Sequence, residues 1–354
     1  MNSKTRWGCG IALAFALLFA IIVPIFLFNV LAQIIGGQLA FDPQPRTQSS
    51  YAETVVDGSW DRAQPQHGKI ALVPISGVIT NFAPGGLFGA SQESMVERVQ
   101  RQLHQAVNDK NIKAIVLHIN SPGGEVTASD HLHQAVTEAA TKKPVVAYFD
   151  SVAASGGYYL ACGATSIVAS ETGITGSIGV IIQSLNYAEL FDKAGLEIHT
   201  FASGEFKDTL SGSRPMRDDE REYIQKLVSG MYDRIVQVVA EGRDIPVAQV
   251  RNQIADGRIF TGVEALALNM VDATGTIDDA YAEARRLGAA PQAAVVRYGP
   301  GGSGLSRLLE VSASGVENSA GPDRLELDLS PALLPRLKPG LPYYLAPGMV
   351  GWEH

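Results

Sequence analysis

From Trp7 to Leu39 the chain carries no charged residue, and from Gly8 to Val30 almost every position is apolar. Roughly 20 such residues cross a hydrocarbon core of about 30 Å as a helix, so this run constrains everything that follows it. Lys4 and Arg6 precede it, and the first charge after it is Asp42. That bias predicts a cytoplasmic N-terminus (1–6), a membrane anchor over 7–36 and an extracytoplasmic remainder. The alternative is a cleaved signal peptide with Val30-Leu31-Ala32 near the cut, but the run exceeds the ~7–15 apolar residues of such a leader. Pro24 within the run is tolerable in a membrane helix.

Residues 37–66 are polar and proline-bearing, which predicts a linker. From residue 67 the pattern alternates. Lys69–Ile75 is strand-like. Met95, Val96, Val99, Leu103 and Val107 share a helical face. Ile112–Ile119 is a β-branched run broken at Asn120-Ser-Pro-Gly-Gly124. A helical pattern then runs to about Thr141, and Val145–Phe149 reads as the next strand. Apolar strands alternating with helices predict an α/β fold with a mainly parallel sheet. Past Pro215, Ile224, Leu227, Val228, Met231, Tyr232, Ile235 and Val239 keep 3–4 spacing, predicting a scaffold helix on that sheet. A folded domain is expected over 67–288, followed by a Gly/Pro-rich extension over 289–354.

Composition narrows the chemistry. With 46% hydrophobic and 18% charged residues the chain is that of a folded protein. Two cysteines, Cys9 and Cys162, exclude a disulfide framework and read as small buried hydrophobes. No Cys/His spacing suggests a metal, and no organic cofactor is suggested. Gly299-Pro-Gly301-Gly-Ser-Gly304 fits a dinucleotide fingerprint, but Pro300 removes an amide from the turn and no complete βαβ unit follows. A net charge of −8 without a long basic run speaks against nucleic acid as a partner.

Two glycine-bearing turns carry the chemistry. Asn120-Ser121-Pro122-Gly123-Gly124 lies between a strand and a helix, where paired glycines allow close backbone approach and free amides can face a developing oxyanion. Ser151-Val-Ala-Ala-Ser155-Gly156-Gly157 follows the next strand, with small residues around Ser155. Each turn has an ordinary alternative: a plain strand-to-helix connection, and a helix-capping serine. Two neighbouring strand ends would nonetheless bring the Gly124 amide and Ser155 into one crevice, as acyl transfer requires. For a base, His118 lies too close in chain to the first turn. His131 and His133 are two apart on a helix, and His199 sits in a strand-like run. Lys207, in a glycine-bearing loop, could serve if burial favoured its neutral form, although an exposed loop lysine is the plainer reading.

The motifs together narrow this. Ile119-Asn-Ser-Pro-Gly-Gly124, Val152-Ala-Ala-Ser-Gly-Gly-Tyr-Tyr159, Thr175-Gly-Ser-Ile-Gly179 and Ser203-Gly-Glu-Phe-Lys207 resemble the signal peptide peptidase A family in order and spacing, over roughly Lys69 to Ala282. Gly257-Arg-Ile-Phe-Thr-Gly262, ending in Val271-Asp272, is similar to that family's closing segment. Asn269 stands where the family often has glycine, and asparagine tolerates the left-handed conformation.

The resemblance implies a Clp protease/crotonase-like fold of repeated ββα units in its single-repeat, membrane-anchored form. It implies a serine endopeptidase with Ser155 as nucleophile and Lys207 as general base. Gly124 and Gly156 amides would form the oxyanion hole, with Ser177 supporting Lys207 and Asn120 and Gly123 shaping the turn. It also implies a homo-oligomeric ring in which neighbouring protomers can complete the sites. The implied substrates are signal-peptide remnants and other hydrophobic peptides at the membrane. A crotonase-like acyl-CoA enzyme and a non-catalytic scaffold of the same fold are the competing expectations.

Overall fold

The computed structural model describes residues 51–60, 65–82, 93–299 and 343–345. The anchor expected at 7–36 lies outside these residues, as do Cys9 and most of the C-terminal extension. Among the described residues no helix is long and apolar enough to cross a membrane.

The strands are β1 (Ala52–Asp57), β2 (Lys69–Ser76), β3 (Ile112–Ser121), β4 (Gly123–Glu125), β5 (Val145–Ala154), β6 (Ser166–Ala169), β7 (Ile174–Gly176), β8 (Ile259–Thr261), β9 (Ala273–Thr274), β10 (Ala294–Gly299) and β11 (Tyr343–Leu345). The helices are α1 (Met95–Asn108), α2 (Val126–Ala140), α3 (Gly156–Ala161), α4 (Ala188–Ala194), α5 (Asp218–Arg243), α6 (Gly262–Ala267) and α7 (Ile277–Leu287). Nine of the described strands form one sheet in the order β1-β10-β2-β3-β5-β6-β9, with β7 joined to β5 and β8 to β7. The pairs from β10 through β2, β3, β5 and β6 to β9 are parallel, and β1–β10 and β7–β8 are antiparallel. The expected α/β architecture with a mainly parallel sheet is therefore present.

Both faces of the sheet are covered, which is why its central strands read as continuous apolar runs rather than as alternation. Ala71, Val73 and Ile75 of β2 join Ile115, Leu117 and Ile119 of β3 in one core with α1, α2 and the second half of α5. Ile70 and Leu72, with Ala114 and Val116, face the other way into a smaller core closed by Ala280, Tyr281 and Ala284 of α7. Ser94 caps α1 in a reciprocal box with Glu97, which fixes where that helix begins.

Three expectations change. The stretch read as a linker contains β1, which pairs with β10 at the sheet edge. The domain expected to end at 288 continues through β10, which lies between β1 and β2. β1 is an exposed edge strand with a weak apolar signal, whereas β10 is a short run, buried at Ala294, Val295, Val296 and Tyr298, that only its pairing places in the sheet. The helix past Pro215 packs only by its C-terminal half. Ile235, Val236, Val238 and Val239 are buried, whereas Tyr223 is 47% and Leu227 39% exposed.

Candidate active site

β5 divides. Its first half pairs with β6 through Val146–Phe149, and its last residues, Val152–Ala154, pair with β7. The strand predicted over Val145–Phe149 thus runs on to Ala154, and Ser155 stands at its end, held from both sides. The Ser155 N–H donates to the Gly176 carbonyl at 2.7 Å, and Thr175 Oγ1 donates to the Ala153 carbonyl at 2.7 Å. The Ser155 carbonyl accepts the Tyr159 N–H at 2.8 Å and so starts α3.

Ser155 has φ 53° and ψ −113°. A side chain at positive φ costs of order 1–3 kcal/mol, so the surroundings over-determine this conformation. Its side chain makes no capping bond to α3, which removes the N-cap reading. Ser155 is fully buried, and its Oγ has no hydrogen-bond partner among the described residues. A buried hydroxyl without a partner is destabilising. Strain and an orphaned hydroxyl on one residue mark a site rather than a scaffold position.

The glycines converge on this serine. A Cβ on Gly156 would stand 3.2 Å from the Gly124 nitrogen and 2.3 Å from Ser129 Oγ, so the two expected oxyanion amides are neighbours. Gly124 cannot carry a side chain either, because its Cβ would meet the Ile79 carbonyl oxygen at 1.9 Å. Gly123 adopts φ 103°, a conformation few side chains allow. Its N–H donates to Ser121 Oγ at 3.1 Å. The break expected at Asn120–Gly124 is in fact the end of β3 followed by the short strand β4, bridged by Ile79.

Ser177 is buried, at φ 51°, one residue beyond the carbonyl that holds Ser155, and its N–H donates to the Arg258 carbonyl at 2.7 Å. Asn120 is exposed; its carbonyl accepts the Gly77 N–H at 3.0 Å. Lys207 is exposed, in a turn whose N–H reaches the Gly204 carbonyl. Ser155 Oγ being buried and without a partner, a single chain does not join Lys207 to it.

Among the described residues no histidine replaces the lysine. His118 Nε2 lies 3.1 Å from Asp150 Oδ2. His199 is exposed, and the strand expected around it is absent. His133 packs edge-on against Tyr159, and its burial lowers its proton affinity.

Two features escaped the sequence. Ser129 on α2 is fully buried beneath Gly156, with its Oγ lacking a partner among the described residues. Arg214 ties the loop after Lys207 to the start of α5, bonding both Asp208 oxygens at 2.7 and 2.8 Å and Glu220 Oε2 at 2.9 Å. Their sequence signal is slight: a serine on a helix's buried face, and an Arg amid acidic residues.

A parallel α/β sheet whose strand end presents a strained, buried serine beside two glycine amides defines the class of a serine hydrolase built on backbone oxyanion donors. The family model described as Peptidase family S49 matches residues 137–290, which contain Ser155 and Lys207. Over 249 residues the chain is 35% identical to a protein of Enterococcus faecium carried under the name signal peptide peptidase SppA, covering 70% of each chain. It is 32% identical over 219 residues to the chloroplastic serine protease SPPA of Arabidopsis thaliana, and 31% over 223 residues to protease 4 of Haemophilus influenzae. In those two it spans 32% and 35% of the relative's length. The chain belongs to the signal peptide peptidase A family of serine peptidases.

Proposed function

We propose that this protein is a membrane-anchored endopeptidase that cleaves hydrophobic peptides, signal-peptide remnants among them, through a Ser155–Lys207 dyad in a Clp protease-like fold. The observation that carries this reading is the strained, fully buried Ser155, whose hydroxyl has no partner among the described residues beside the adjoining Gly124 and Gly156 amides. Lys207 Nζ takes the Ser155 proton as Oγ attacks the peptide carbonyl carbon. The two glycine amides hold the oxyanion, and the lysine returns the proton to the departing amine. Water, deprotonated by the same lysine, then releases the acyl group and restores the serine.

Because Lys207 is exposed and Ser155 buried, the dyad is completed by a second copy of the chain within a ring. The segment bearing Lys207 supports this. Leu185 is 64%, Leu190 64% and Phe201 97% exposed, more apolar surface than an isolated chain is expected to leave uncovered. Covering that face would also desolvate the lysine and favour its neutral form. A groove of about 610 Å³ next to β4, lined by Val126, Thr127, Tyr159, Leu227, Met231 and Arg234 among others, suits an apolar side chain of the substrate. The anchor at 7–36 would place the domain on the extracytoplasmic face.

The test compares full-length wild type, Ser155→Ala and Lys207→Ala in detergent on a hydrophobic fluorogenic peptide. Each substitution is expected to lower kcat/KM by at least ~10³. Mixing the two inactive variants through a dissociation and reassembly step is expected to restore part of the activity, because some sites then combine an intact serine with an intact lysine. Near-normal turnover by Lys207→Ala would overturn the dyad, and inactive mixtures would overturn its assembly from two copies.

A further inference from the structure

Residues 201–207 are exposed, yet the backbone on either side of Lys207 is fixed. The Glu205 carbonyl accepts Arg217 Nη2 at 3.0 Å, and Asp208 accepts Arg214 with both carboxylate oxygens. Both arginines converge on Glu220, in the first turn of α5, whose side chain is only 1% exposed. Arg214 reaches Glu220 Oε1 at 2.5 Å and Oε2 at 2.9 Å. The Arg217 N–H donates to Oε2 at 2.9 Å, and Thr209 Oγ1 donates to Oε1 at 3.3 Å. The Lys207 side chain itself has no hydrogen bond or ion pair among the described residues.

Every N–H of the Arg214 guanidinium is used. Nε and Nη2 meet the two Asp208 oxygens, Nη1 and Nη2 meet the two Glu220 oxygens, and Nη1 also donates to the Pro215 carbonyl at 3.1 Å. A lysine has three donors and no planar fork, so it cannot span two carboxylates in this way. The Arg214 carbonyl accepts Asn186 Nδ2 at 3.1 Å, and the Gly212 carbonyl accepts the Tyr187 N–H at 2.8 Å, which ties in the segment before α4 as well. Glu220 is buried in the half of α5 whose apolar Tyr223 and Leu227 stay exposed. A buried ion pair adds little net stability over an apolar replacement. What five directional bonds to one planar group do supply is a fixed geometry.

We propose that Arg214 is a positioning residue for the reaction. It locks residues 205–209 to the start of α5, so that Lys207 is presented at a fixed point to the Ser155 of a neighbouring copy. Misplacing a reacting group by about 1 Å can cost ~10²-fold in rate, so the lock acts on turnover rather than on substrate binding. The catalytic role rests on the Ser155–Lys207 reading proposed above, whereas the lock itself does not.

Three measurements on full-length protein in detergent test this. Arg214→Lys keeps the charge and loses the fork, and Asp208→Asn keeps the shape and loses one acceptor. The first measurement needs no turnover. In a Ser155→Ala background, amide hydrogen exchange over residues 204–211 is expected to be about fivefold faster or more in either variant. Exchange equal to that of the parent would overturn the lock, whatever the enzyme does. The second uses the variants with Ser155 intact on the fluorogenic peptide. There kcat is expected to fall about tenfold or more, with KM held within about twofold. Faster exchange with unchanged kcat, or a loss confined to KM, would overturn the positioning role. The third assigns the defect to one half of the site by dissociation and reassembly. Arg214→Lys mixed with Ser155→Ala is expected to regain activity, because intact loops then meet intact serines. Mixed with Lys207→Ala it is expected to regain none, since both variants damage the lysine's side of the site. Recovery with Lys207→Ala would put the defect on the serine's side and overturn the proposal. Near-normal turnover by Lys207→Ala alone, alongside faster exchange in Arg214→Lys, would be the failure of the dyad, with the lock standing and its catalytic role removed.

Discussion

At the scale of single residues, the strain at Ser155 separates structure from chemistry. Glycine adopts its φ of 53° without penalty, so Ser155→Gly is expected to abolish peptidase activity while raising stability by about 1–2 kcal/mol, read as a higher Tm. Ser155→Ala keeps the strain and should melt below Ser155→Gly. Gly156→Ala is expected to destabilise, because its Cβ would stand 2.3 Å from Ser129 Oγ. Adding Ser129→Ala removes that contact and leaves neighbours at 3.2 Å. The double variant should then be more stable than the sum of the singles by about 1 kcal/mol, measurable as a double-mutant cycle. Much of this locality was legible in the chain itself, because paired glycines and small residues around one serine are a local pattern. Asn269 was readable for the same reason, and it adopts φ 58° as expected of a residue replacing glycine. Ser129 was not, because its importance comes from the glycine above it on another element.

At the scale of elements, the periodic and fully buried segments were the readable ones. β2, β3, α1 and α2 appear within a few residues of where their apolar spacing puts them. β1 and β10 were missed because edge pairing needs a partner far away in sequence. α5 was misjudged in its first half, where 3–4 spacing held but burial did not follow. The start of α5 gives a pH-dependent prediction. Arg214, with help from the Arg217 N–H, holds the Glu220 carboxyl down to about 2. A folded value below the unfolded one stabilises fully above the ordinary carboxylate range, and that stabilisation is lost as pH falls through about 2. Urea midpoints should therefore show Glu220→Gln less stable than wild type at pH 7, with the gap closing progressively below about pH 4. Because the same arginine holds Asp208, beside Lys207, Glu220→Gln should also lower peptidase activity at neutral pH.

At the scale of the whole molecule, the covered sheet contrasts with the uncovered arm from about residue 181 to 227. A charge placed on that arm should cost an isolated chain little and an assembly a great deal. Phe201→Asp or Leu190→Asp is expected to convert a multi-subunit species into monomer in sedimentation experiments, with Tm nearly unchanged and activity lost with the assembly. A single sequence holds the apolar residues of such an arm but not whether anything buries them, so the exposure had to be seen in the fold. The interior offers the opposite extreme. Cys162 is a free thiol in the larger core, and burial pushes its pKa up to about 12. The thiolate is the form that reacts, so a thiol held protonated and out of solvent stays inert while the domain is closed. With Cys9 replaced by serine, the rate at which a thiol-alkylating reagent marks this one cysteine becomes a clock for the opening of the domain core, carried by the protein itself.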